Sequence, residues 1–176
     1  TANGMEVSAE KSVCSASTSV FGEAVRDGLK QYGVKLVKQA KSLGAGLGAG
    51  VRRNTSVLKL RLKKFASRLP RFRILRRAGV DTARLLRTGG IAALCYGAET
   101  MGVSNSLLLS QRRLAAAAAA PGAGTCGQDL DLALVLADGG PMGRADPAFP
   151  AHSLPLGHWA SAVYEGWMPL RNLQTM

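Results

Sequence analysis

Seven cations set at short intervals, Arg61, Lys64, Arg68, Arg71, Arg73, Arg76 and Arg77, have the chemistry to hold a run of phosphates. Guanidinium and ammonium groups displace condensed counterions from a nucleic-acid backbone, and such contacts position a duplex without reading its sequence. These cations belong to the stretch from Arg52 to Glu99, where thirteen Lys and Arg face two acids, Asp81 and Glu99. On a mixed-charge helix a row of cations is a solvated surface. Here the groups repel one another until water, salt or a polyanion screens them. Nucleic acid is the leading expected partner, and an anionic membrane surface comes second.

Helices must display these groups. Leu58, Leu62, Phe65, Leu69 and Phe72 recur at alternating spacings of four and three, so they share one helical face while Arg61, Lys64, Arg68 and Arg71 share another. Phe65 and Phe72 lie on the apolar seam, which predicts a core role over a base-stacking one. Thr55 or Ser56 is a candidate cap, and Pro70 predicts a kink or two abutting helices that end at Gly79. Asp81 or Thr82 is expected to cap a second helix, in which Gly89, Gly90 and Gly97 predict close backbone packing. A third helix is expected from Ser104 through the alanine run Ala115 to Ala120, ending at Pro121-Gly122.

The chain has 176 residues, a net charge of +12 and 5% aromatics, with 21 glycines. Sparse aromatics and abundant glycine predict a piece that leans on another body. Cys14, Cys95 and Cys126 are odd in number, far apart and without a CxxC pair, so neither a disulfide framework nor a zinc site is indicated. The opening residues lack the pattern of a secretory signal, and no apolar run approaches the roughly 18 residues that span a bilayer. The expected location is intracellular, nucleus or cytoplasm. A chain that opens on Thr1 directly into patterned sequence is expected to come from a longer reading frame.

On either side of the basic stretch the pattern changes. Residues 1–50 predict strand, helix, strand and strand: Lys11 to Ser15, a helix capped by Ser17 or Thr18 and stopped at Gly33, Val34 to Val37, and a strand or strand pair over Ala40 to Leu47. Gly44, Gly46 and Ala49 satisfy the dinucleotide-loop spacing GxGxx(G/A), but the residues about 20 further on are basic where that fingerprint needs an acid. Beyond Pro121, Pro, Gly and Asp rise while Lys and Arg nearly vanish. Asp129, Asp131 and Asp138 are expected to cap and turn, His152 and His158 to be ordinary imidazoles, and Trp159, Val163 and Trp167 to dock the aromatic face of a short helix.

In order along the chain, Gly4-Met5-Glu6-Val7 with Glu10-Lys11-Ser12, Lys41-Ser42-Leu43-Gly44, and Tyr96-Gly97-Ala98-Glu99 followed by Gln111-Arg112-Arg113 resemble motifs of non-LTR retrotransposon reverse transcriptases. They are similar to the fourth palm motif, the primer grip and the region beyond the thumb, over about residues 3 to 120. The resemblance implies an α+β fold, with an end-of-palm segment over 1–50 and a basic, mostly helical thumb-like region over 51–121; the change of composition at Pro121 predicts an irregular Pro/Gly-rich extension over 122–176. It implies that Lys11 acts near the departing pyrophosphate and that Leu43 and Gly44 support the primer end, with the upstream palm and fingers lying outside the chain. The family's Tyr/Phe-x-Asp-Asp hairpin does not occur here. Two-metal chemistry needs those carboxylates, so the chain is expected to bind template-primer without polymerising; no metal or other cofactor is expected in it, Mg²⁺ belonging to a complete polymerase. The alternatives are a stand-alone basic helical module for RNA or DNA, and a membrane-surface or protein-interaction helix.

Overall fold

In a computed structural model, the structure describes residues 8, 12–42, 44–49, 53–121, 129–139 and 144–167. The chain forms two compact units, Thr1–Val57 and Leu58–Met176. The fold is α+β, with a few short strands in the first unit and helices throughout the second.

In the first unit, strand β1 (Val13–Cys14) pairs in parallel with β2 (Lys35–Leu36) across helix α1 (Ser19–Gly28). The Thr18 hydroxyl caps α1 by accepting from the Phe21 amide, and Gly33 ends the following turn in the left-handed region at φ 68°. Strands β3 (Gln39–Ser42) and β4 (Ala45–Gly48) form an antiparallel hairpin, with Gly44 at φ 86° in its connection. The Asn54 side chain holds the base of the hairpin: it donates to Leu47 O at 3.2 Å and accepts from the Ser56 amide at 3.0 Å. Among the described residues of this unit only Gly22, Gly46 and Asn54 are buried, while Val20 and Phe21 are exposed.

The second unit is built on the apolar seam. Helix α2 (Ser56–Ala66) gives way to α3 (Leu69–Arg77), with Pro70 in the first turn of α3, where its missing amide hydrogen costs nothing. Leu58 and Phe65 are buried, Leu62, Leu69 and Phe72 pack against the core, and the rings of Phe65 and Phe72 lie 5.9 Å apart. Asp81 caps α4 (Thr82–Leu85) by accepting from the Arg84 amide. A π-helical turn, Leu86–Gly90, leads into α5 (Ile91–Cys95), and α6 (Ala98–Met101) follows Gly97, which stands at φ 83°. Close backbone packing does not explain the paired glycines. A Cβ on Gly90 would lie 2.8 Å from Leu86 Cδ1 and 3.4 Å from Phe65 Cε2, which are side-chain atoms, and a Cβ on Gly89 would meet nothing within 4 Å.

Helix α7 (Asn105–Ala119) runs through the middle of this unit and contacts α3, α4, α8 (Asp129–Asp138) and α9 (Ala148–Tyr164). Its Ala115, Ala116, Ala118 and Ala119 are buried, because small side chains let neighbouring helices approach closely. The Thr82 hydroxyl donates to Ala119 O at 3.0 Å, and the buried Gln111 amide donates to Leu94 O at 3.0 Å.

The residues beyond Pro121 correct the expectation of an irregular extension. They carry α8 and α9, and Leu130, Leu134, Ala137 and Ala145 belong to the same core as Phe65 and Leu86. Helix α9 continues through Pro155 although that residue cannot donate a backbone hydrogen bond, and Ala151 and Ala162 anchor it by burial. The aromatic face expected to dock is half exposed instead: Trp159 is 50% and Trp167 53% accessible, the latter lying beyond the helix end against His158.

Candidate nucleic-acid interface

The amphipathic pattern of α2 and α3 sorts the basic side chains. Lys64, Arg68, Arg71, Arg73, Arg76 and Arg77 are exposed, and none forms an ion pair with a carboxylate among the described residues. Arg71, Arg73, Arg76 and Arg77 lie within the nine residues of α3, which has no acid and no buried residue. Like charges three or four positions apart cost a few tenths of a kcal/mol each in a helix, so α3 carries a repulsion that a polyanion relieves. Arg76 and Arg77 in its last turn suit the negative end of the helix dipole, whereas Arg71 near its start does not.

Arg61 differs from the other six. It is half-buried, its guanidinium donates to the backbone oxygen of Tyr96, and its Cζ lies 4.9 Å from the centre of the Tyr96 ring. It therefore ties α2 to the end of α5 as well as carrying charge.

Other arginines have structural partners. Arg87 donates to Ala137 O and lies 3.9 Å from Asp81. Arg112 joins three elements: it pairs with Asp131 on α8 and lies 2.9 Å from Asp146, ahead of α9. Asp146 also accepts from the Ala148 amide at 2.8 Å, and Asp138 accepts from the Ala145 amide at 2.9 Å, so both act as turn and cap acceptors. The Asp146 hydrogen bond raises the pKa of Arg112 against the opposing effect of burial, with Asp131 contributing further. No signal in the sequence links Arg112 to acids 19 and 34 residues away.

Burial pushes the Cys95 thiol from its ordinary 9.0 up to about 12, and the Asp146 charge adds to the effect. The raised value means that the folded chain keeps a proton which the unfolded chain releases. Cys95 therefore contributes stability that is fully present below pH 9.0 and is lost as pH rises towards about 12. Denaturant titrations across that window are expected to show stability falling by up to about 1.4 kcal/mol per pH unit from this group. The slope should be smaller by that amount in Cys95→Ala.

Lys11 and Leu43 lie outside the described residues. Gly44 sits in the β3–β4 connection and belongs to the first unit, whereas the basic face belongs to the second. Among the described residues no three His, Cys, Asp or Glu side chains are grouped to hold a metal ion, and no helix is long and apolar enough to cross a membrane. No family model, no curated protein and no solved structure matches the chain.

Proposed function

We propose that the α2–α3 face binds the phosphate backbone of a template–primer duplex, as the thumb-like region of a retrotransposon reverse transcriptase. The chain contributes duplex binding and not the metal-holding aspartates of such an enzyme. The observation that carries this reading is that Lys64, Arg68, Arg71, Arg73, Arg76 and Arg77 are exposed without a carboxylate partner among the described residues, along helices whose Phe65, Leu69 and Phe72 hold them to the core of the unit. The resemblance of three ordered motifs supplies the polymerase context.

The test is titration of a labelled duplex at rising salt. Six phosphate contacts predict a slope of log K against log salt of about −5, with little dependence on sequence. An RNA–DNA hybrid should bind at least as tightly as DNA duplex of equal length. A salt-independent affinity overturns the reading. The exposure of Leu60 at 50% and Ile74 at 65% on the same helices favours a second reading, insertion at an anionic membrane surface. Tighter binding to phosphatidylserine vesicles than to duplex at equal ionic strength would establish it in place of the first.

A further inference from the structure

Ser67 lies in the break between α2 and α3, where residues 67 and 68 form a turn. It is exposed, and between Val57 and Asp81 no other residue carries a hydroxyl group. Its own hydroxyl donates to the Lys64 backbone oxygen at 2.8 Å, an exposed contact of small net worth against water.

Cations flank it on both sides. Lys63 and Lys64 stand four and three residues ahead, and Arg68 and Arg71 one and four residues behind. All four are exposed, and none pairs with a carboxylate among the described residues. Helix α3 begins without a side-chain cap, and Arg71 near its start opposes the helix dipole. A dianion at position 67 therefore gains charge-assisted hydrogen bonds from these side chains and faces the positive end of α3.

The same cations make the serine recognisable. Basic residues three and four positions ahead of a serine form the charge pattern that kinases with acidic substrate grooves select. Ser56 has Arg53 at the shorter interval, but its hydroxyl and amide are both tied to the buried Asn54 side chain. Ser67 sits where the helix is already interrupted.

We propose that Ser67 is a phosphorylation site, and that its phosphate takes the place of a nucleic-acid phosphate on the α2–α3 face and releases the duplex. This regulation rests on the phosphate-binding reading of that face. The donor is ATP and the catalyst a serine/threonine kinase selective for basic sequences. The bond from Ser67 Oγ to the γ-phosphorus forms as the bond from that phosphorus to its bridging oxygen breaks. ADP leaves, and the hydroxyl proton passes to the aspartate base of the kinase. The added group carries about −1.5 to −2 charges at pH 7, enough to cancel about two of the cations on the face.

The test uses the full chain with phosphoserine placed at position 67 during translation, beside the unmodified chain and Ser67→Ala. Phosphoserine should lower duplex affinity about fiftyfold at about 0.1 M salt and make the salt slope shallower by about 2. Ser67→Ala should bind as the unmodified chain does. In the absence of duplex, the phosphorus NMR signal should titrate below the ordinary second pKa of about 6, because the neighbouring cations favour the dianion. Lys64→Gln with Arg71→Gln should return the midpoint towards that value. A kinase selective for basic sequences, given ATP, should modify the unmodified chain at Ser67, as mapped by mass spectrometry, and Lys63→Gln with Lys64→Gln should slow the transfer. An unshifted titration, an affinity loss below about threefold, or a Ser67 that the kinase leaves untouched would overturn the switch while leaving duplex binding intact. Failure of the unmodified chain to bind duplex would overturn the phosphate face, and the switch with it.

Discussion

Replacing Lys64, Arg68, Arg71 and Arg76 together by glutamine is expected to lower duplex affinity about four-thousandfold at about 0.1 M salt. Each phosphate contact releases close to one counterion, which contributes roughly 0.9 logarithmic units at that salt. The slope of log K against log salt should fall from about −5 to about −2. All four side chains are exposed and without acidic partners among the described residues, so the change removes repulsion and no packing. Stability should therefore move by less than about 0.5 kcal/mol, or rise slightly. A matched pair separates local charge from net charge. Arg68→Gln with Arg71→Gln should cost about fiftyfold. Lys30→Gln with Lys35→Gln removes the same charge from exposed positions in the first unit and should cost less than about threefold. Equal losses from the two pairs would mean that the duplex responds to overall charge alone and that α2 and α3 form no site.

Features set by a few neighbouring residues were legible in the sequence. The Thr18 and Asp81 caps, the stop at Gly33, the hairpin over residues 39–48 and the break at Pro70 all occur where short-range chemistry places them. The seam from Leu58 to Phe72 is also as the spacing predicts, because periodic apolar residues have one way to be buried together. What could not be read depends on partners far along the chain. The alanine run at Ala115 to Ala119 reads as plain helix, and only packing by α3, α4 and α8 makes it the centre of the core. Proline and glycine after Pro121 suggest irregular chain. Yet α8 and α9 form, since Leu130, Leu134 and Ala151 find buried places there and Arg112 supplies charge to Asp131 and Asp146. For the candidate site, the cations were evident, but the distinct role of Arg61 was not, because Tyr96 lies 35 residues away.

Phe65→Ala should produce the opposite pattern to the glutamine replacements. Phe65 is 4% exposed, lies against Phe72, and has Gly90 and Leu86 as neighbours in the π-helical turn. Truncating a buried phenylalanine costs about 3–5 kcal/mol through lost transfer energy and the cavity left behind. For a unit of this size that corresponds to a melting temperature lower by about 10–20 °C. The exposed Leu60→Ala, one turn earlier on α2, should change it by no more than a degree or two, a shift of about 0.5 kcal/mol or less. At a temperature where Phe65→Ala is still folded, its cations remain on α2 and α3, so its salt slope should match that of the wild type while its stability does not. One set of changes would then remove binding and spare the fold, and the other would weaken the fold and spare the slope. That pair of results requires two adjacent helices whose apolar seam holds the unit together and whose exposed cations meet the phosphates. A shallower salt slope in folded Phe65→Ala would show instead that α3 is displaced when its aromatic anchor is lost.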